Sequence, residues 1–317
     1  MTTPPVRLLP ASPVALAAAL ALASTSGPAA AQDTVRRPAP QNPSPMVETT
    51  RAHERLSPLE LGGRSGSFPG PAGRPVEVWI PDGAGRGGSF DLVIHFHGAA
   101  WLPRQAVAAL GNGTVAAVVN LGTGSGAYDR GLSDPAALDS LLAGVERDVS
   151  AAVGGPARVG SLALVGFSAG YGAVRAILRQ PRHYAAVDAV LLLDGLHASY
   201  VPEAVPLADG GALDETALSA FAHLAEAAAR GEKRFLVTHS EIFPGTFAST
   251  TETADWLLER LGLRRTPVLA WGPRGMQQLS EARAGRFELM GFAGNAAPDH
   301  VDHLHAMPEL LALLRAR

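Results

Sequence analysis

The 317-residue chain has no cysteine. Disulfides, thiolate nucleophiles, cysteine-based metal sites and a cysteine-linked lipid anchor are therefore excluded. Charge is scarce as well, with Asp, Glu, Lys and Arg at 17% and a formal net charge of −3. That balance argues against a nucleic-acid-binding surface, which needs a basic stripe. No apolar run is long enough to span a bilayer. What the chain does have is apolar residues at 47%, and length enough for one large domain with a sizeable core.

The first 31 residues carry Arg7 as their only early charge, an apolar stretch from Val14 to Ala23, and Ala29-Ala30-Ala31. Those are the parts of a secretory signal, expected to be cut after Ala31. The other reading is a disordered Ala/Pro leader. Residues 32–58 are polar and proline-rich and are expected to form a flexible linker, with the folded domain over 59–317. A secreted or periplasmic protein is the expectation.

From residue 59 on, β-rich apolar runs alternate with helical spacing. "RPVEVWIP" (74–81), "FDLVIHFHG" (90–98), "TVAAVVNLG" (114–122), "VDAVLLLDG" (187–195), "KRFLVTHS" (233–240) and "GRFELMGFAG" (285–294) read as strands. Residues 133–153, 214–231, 249–262 and 300–315 have helical spacing, and Ser133 with Pro135 reads as a helix start. Fully apolar strands between helices predict an α/β domain, a mostly parallel sheet covered on both faces. About twenty residues join the "LLLDG" strand to the next helix, which leaves little room for a cap domain.

"LALVGFSAGYGAV" (162–174) is the chemically pointed stretch. With 35 glycines in the chain, chance supplies roughly 0.2 matches to G-x-S-x-G, so the surroundings decide. Here a strand runs into Gly166-Phe167-Ser168-Ala169-Gly170 and directly into a helical pattern. In that context the serine is a nucleophile exposed above a sheet, and the Ala169 N–H faces a developing oxyanion. Upstream, "LVIHFHGAAW" ends a strand in His97-Gly98.

A His-Gly after the third strand and G-x-S-x-G after the fifth resemble the α/β-hydrolase family. The resemblance spans most of residues 74–317 and implies a serine hydrolase, with the second oxyanion donor at Ala99. The sequence has "HGAA" where lipases and esterases carry a glycine-rich run. The family order, serine then acid then histidine, implies a base in "GFAGNAAPDHVDHLHAM". His300 is preferred there over His303 and His305. Asp194, closing "AVLLLD", is preferred as the acid, with Glu241 its rival and Asp299 and Asp302 behind. The structural alternative for Asp194 is a turn cap before Gly195.

Trp101, Tyr128 and the stretch "GTGSGAYDRG" (122–131) follow strand ends and are expected to wall a substrate pocket. That stretch lacks a P-loop pattern and opens no immediate helix, so phosphate cradling is not expected. His95 and His97, with His300 and His303, could in principle ligate zinc. Such a site leaves the Ser168 elbow unexplained, and neither metal nor cofactor is expected. The reading is hydrolysis of a small or polymer-attached carboxylic ester through Ser168, His300 and Asp194. Amide hydrolysis and acyl transfer use the same parts, and a non-catalytic binding protein uses the same fold.

Overall fold

The apolar runs assemble into a ten-stranded sheet with helices on both faces. The computed structural model describes residues 52–111 and 113–316. The expected signal segment and residues 32–51 of the expected linker lie outside the described residues.

The strands of the first half are β1 (Arg64–Pro69), β2 (Pro75–Ile80), β3 (Ser89–Phe96), β4 (Val115–Val119), β5 (Arg158–Phe167) and β6 (Ala189–Leu193). A two-stranded hairpin, β7 (Tyr200–Val201) and β8 (Ala212–Leu213), stands apart from the main sheet. β9 (Arg234–His239), β10 (Thr266–Trp271), β11 (Gln277–Ala284) and β12 (Phe287–Phe292) complete the set. The helices are α1 (Trp101–Ala109), α2 (Ser125–Leu132), α3 (Pro135–Val153), α4 (Tyr171–Leu178) and α5 (Pro181–Ala186). They continue with α6 (Glu215–Ala229), α7 (Thr250–Leu261), α8 (Ala297–His305) and α9 (Met307–Ala316).

The sheet order is β1-β2-β4-β3-β5-β6-β9-β12-β11-β10. From β4 to β12 neighbouring strands pair parallel. β2 and β1 add antiparallel at one edge, and β11 and β10 at the other. An antiparallel β2 beside a parallel run in the order β4-β3-β5-β6, with a serine in the tight turn after β5, is the α/β-hydrolase fold. Between β6 and α6 only the β7–β8 hairpin and a single 3-10 turn, Leu207–Asp209, intervene, so no cap domain is inserted there.

Alternation along β5 explains why its buried part, from Leu162 to Phe167, carries no polar side chain. Leu162 and Leu164 enter the core on one face, while Ala163, Val165 and Phe167 enter the core on the other. β6 repeats this, with Val190 and Leu192 on one side and Leu191 and Leu193 on the other. Local signals start the helices. Asp134 caps α3 by accepting from the Ala136 N–H, one residue later than the expected Ser133 start. Ser249 and Glu252 form a reciprocal capping box on α7.

Two expectations are corrected by tertiary packing. Residues 125–132 form α2, although two glycines in eight residues weaken the helix; Tyr128 and Leu132 anchor it by full burial. Residues 53–56, expected as linker, are tied to α8. His53 Nδ1–H donates to Asp302 at 2.7 Å, Arg55 pairs with the same carboxylate at 3.0 Å, and the Leu56 N–H donates to His305 Nδ1 at 2.9 Å. The ordered chain therefore starts before residue 59, because polar groups that look solvated in the sequence have a buried partner. No helix of the described residues is long and apolar enough to cross a membrane.

Candidate active site

β5 delivers Ser168 at its carboxyl end with φ +47, a left-handed conformation rare for a non-glycine residue. The turn is tight enough that a Cβ on Gly170 would sit 2.1 Å from the Phe96 carbonyl oxygen. The Tyr171 N–H turns back to the Ser168 and Ala169 carbonyls, and α4 follows. Ser168 is half-buried, lines a cavity of about 590 Å³, and makes no side-chain hydrogen bond among the described residues. A cavity of similar size, about 600 Å³, lies over Gly70, Leu121 and Arg130 and shares no lining residue with it.

Asp194 follows β6 with φ +43, again left-handed. Its carboxylate accepts from the Ser240 N–H at 2.9 Å, the Ser240 hydroxyl at 2.7 Å and the Thr250 hydroxyl at 2.6 Å. His300 Nδ1–H supplies the fourth bond, at 2.7 Å to Oδ2. Burial opposes ionisation of Asp194, yet His303, His300 and Thr250 together hold its carboxyl well below the usual carboxylate range. With Nδ1–H committed to Asp194, the lone pair of His300 is on Nε2.

Ser168 meets this pair through its neighbours in the chain. Gly195 lies so close that a Cβ there would be 2.7 Å from the Ser168 carbonyl oxygen and 2.8 Å from its N. Phe167 stacks on the His300 ring with centroids 4.6 Å apart.

The rival residues are engaged elsewhere. His303 is fully buried, with Nδ1 2.8 Å from the Thr238 hydroxyl and its ring against Phe292. Burial lowers its pKa. His305 accepts from Leu56 and sets its edge against Trp101. Glu241 faces the Gly294 N–H at 3.5 Å and is pushed up by burial; it makes no bond to His300.

The segment after β3, where the second oxyanion donor is expected, is held on several sides. His97 has φ +74. Its carbonyl accepts from His95 Nε2–H at 2.7 Å, and its Nδ1 meets the Tyr128 hydroxyl at 2.9 Å. Asn120, just beyond β4, grips the next residue with both ends of its amide. Gly98 N–H donates to Asn120 Oδ1 and Asn120 Nδ2–H donates to the Gly98 carbonyl, each at 2.9 Å. Gly98 N–H is thereby occupied. Ala99 comes next, exposed, and its carbonyl starts α1 by accepting from Leu102. Ala169 lies in the first turn after the elbow, where helical N–H groups have no intrahelical acceptor.

Two site expectations are corrected. Tyr128 is fully buried and cannot touch substrate; it braces His97 instead. Trp101 opens α1, packs into the core beside His305 and does not line the Ser168 cavity, although Thr123, Gly124, Ser125 and Gly126 of the stretch expected as a wall do. Asn120, Ser240 and Thr250 carried no sequence motif, and Phe167 occupies a variable position of the one at 166–170. The only usable signal was position, Asn120 following one strand and Ser240 another. The four histidines considered for zinc do not converge. Among the described residues the one converging set is His53, Asp299 and Asp302, where Arg55 already pairs with Asp302.

No protein-family model and no curated protein matches the chain. Similar solved structures include a serine-to-alanine mutant of the feruloyl esterase module from Clostridium thermocellum complexed with sinapinate. It is 11% identical, with 83% of this chain and 95% of that chain covered and a TM-score of 0.46. An ester-hydrolase from the metagenome of Lake Arreo, complexed with a derivative of bipyridine phosphonate, is 17% identical, covering 83% and 85% at a TM-score of 0.46. A thermostable esterase is 14% identical at a TM-score of 0.37, covering 63% of this chain. The chain spans about half, 51%, of that esterase's length. The fold rests on the chain's own strand order, and the site on its own geometry.

Proposed function

We propose that this chain is an exported serine hydrolase that cleaves a carboxylic ester. The observation that carries the reading is the His300–Asp194 hydrogen bond of 2.7 Å beside the left-handed Ser168 turn. His300 Nε2 takes the Ser168 Oγ proton as Oγ attacks the ester carbonyl. Asp194 keeps Nδ1 protonated and stabilises the imidazolium that results. The N–H groups of Ala99 and Ala169 receive the oxyanion of the tetrahedral intermediate. His300 then returns the proton to the leaving alcohol, leaving an acyl-Ser168. Water repeats the cycle with the roles of attack and departure reversed, and releases the acid.

Nucleophile and base are commonly looser in substrate-free enzymes than in the reacting complex, which accords with the free Ser168 hydroxyl. Steady-state turnover of p-nitrophenyl butyrate tests the reading. Wild type is expected to hydrolyse it, with Ser168→Ala and His300→Ala each reduced at least about 1000-fold. Activity retained in Ser168→Ala contradicts it. Export rests on residues 1–31, and N-terminal sequencing of the mature protein is expected to begin at Gln32.

A further inference from the structure

The cavity beside Ser168 holds charge that the triad does not use. Arg175 on α4 and Arg179 at its C-cap both line it, with Thr123, Ser125 and Ser199. Among the described residues the apolar part of the wall is Ala169, Ala198, Ala217, Tyr171 and Phe247, with no Leu, Ile, Val or Met, so large aliphatic side chains do not line it.

Arg175 is built into the wall. Its side chain is 13% exposed, its guanidinium lies 5.4 Å from the Tyr171 ring centroid, and its Nε–H donates to Asp129 Oδ1 at 3.1 Å. These contacts use Nε and one face of the plane. The two terminal nitrogens make no hydrogen bond among the described residues. They form the fork that pairs with a carboxylate through two parallel bonds. Arg175 stands seven residues past Ser168, roughly 10 Å along the helix, and helical side chains lean back toward the N-terminus. The fork therefore reaches toward the nucleophile with room for a few carbons between.

The counter-charges leave that fork available. Asp129 is one carboxylate serving two guanidinium groups, at 3.1 Å from Arg175 and 3.6 Å from Arg179. Asp214, also on the wall, is engaged as the N-cap of α6, accepting from the Thr216 N–H at 3.1 Å. His197 donates its Nδ1–H to the Ala248 carbonyl at 2.9 Å and is kept neutral by burial.

We propose that the cavity selects esters bearing a second, anionic group, foremost a carboxylate, which the Arg175 fork holds while Ser168 attacks the ester a few carbons away. The inference rests on the serine-hydrolase reading for its chemistry, but the anion site stands on its own geometry.

Two matched pairs of esters test it: monoethyl against diethyl adipate, and 4-acetoxybenzoate against its methyl ester. They place the charge on the acyl and the alcohol side respectively. In at least one pair the charged member is expected to have at least about a tenfold higher kcat/KM. Arg175→Gln is expected to lower the charged member at least about tenfold more than the neutral one, mainly through KM, and Arg175→Lys to restore part of the loss. Preference for the neutral member in both pairs, or equal loss on both members in Arg175→Gln, overturns the proposal. Calorimetric titration of adipate into Ser168→Ala, with and without Arg175→Gln, separates the two readings. Binding that depends on Arg175 in a protein whose wild type turns over no ester keeps the anion site and removes the hydrolase; absence of binding overturns the anion site.

Discussion

Phe167 lies against His300 with ring centroids 4.6 Å apart and planes 29° apart, and its other neighbour is His97, at 6.0 Å and 16°. The residue before Ser168 thus packs against both His300 and the segment that follows β3. Phe167 is almost fully buried, so removing its ring frees both sides at once. Phe167→Ala is expected to lower kcat about 100-fold, with a smaller change in KM, because misplacement of reacting groups by about 1 Å costs that much. Phe167→Leu should recover part of the loss. Steady-state kinetics on p-nitrophenyl butyrate decides, and an unchanged kcat in Phe167→Ala contradicts the positioning role.

Asp194 and Glu241 compete for the role of orienting acid in the sequence, and only Asp194 bonds to His300. Asp194→Asn is expected to drop kcat by about 10⁴, since the amide favours the wrong imidazole tautomer. Glu241→Gln should remain within about threefold of wild type, as a half-exposed change away from the triad. The reverse ranking of the two variants would sink the assignment. For the base, the matching contrast is His303: its replacement by Ala should appear mainly as lowered thermal stability, from the buried bond to Thr238.

Asn120 holds both polar groups of Gly98 and so fixes where the next N–H, that of Ala99, points. Asn120→Ala is expected to lower kcat by about 100-fold, in the range for loss of one oxyanion donor, while KM changes little. Asn120→Asp keeps an acceptor for the Gly98 N–H but loses the donor to its carbonyl, and should fall between the two. A variant impaired in KM alone would place Asn120 in substrate binding.

His95 and His239 are buried neutral, each with its pKa lowered to about 4, chiefly by desolvation. Unfolding lets both protonate near their ordinary value of 6.5. The unfolded chain therefore binds more protons below pH 6.5, and stability is lost as pH falls from there through about 4. At the low end the loss is on the order of 3 kcal/mol for each ring. Urea unfolding midpoints between pH 7.5 and 4.5 should decline over this window, and less steeply in His95→Gln. A flat profile contradicts the burial argument.

The parallel sheet was legible because strands buried on both faces must be apolar there, as β6 is throughout and β5 is from Leu162 to Phe167. Ser168 was legible because glycine at 170 answers a backbone approach that any side chain would block. The outer strands were not. β10 carries an apolar run, Pro267–Trp271, but sits exposed at the sheet edge and holds a proline, while β11 is largely polar. Tyr128 was misread because a position just past a strand end suggests a pocket wall, whereas packing against the core made it a buried helix residue. His300 and His303 look alike at the start of one helix; only the Asp194 carboxylate and the Thr238 hydroxyl, far away in sequence, distinguish them. Asn120 and Thr250 act through partners 22 and 56 residues away, a reach no local motif records.

Covalent capture is the most direct measurement of the central claim. Wild type treated with a fluorophosphonate probe at pH 7.5 and mapped by peptide mass spectrometry is expected to carry one adduct, on Ser168. His300→Ala should label far more slowly, and Ser168→Ala not at all. An unlabelled wild type, or a Ser168→Ala variant labelled as fast as wild type, contradicts the account.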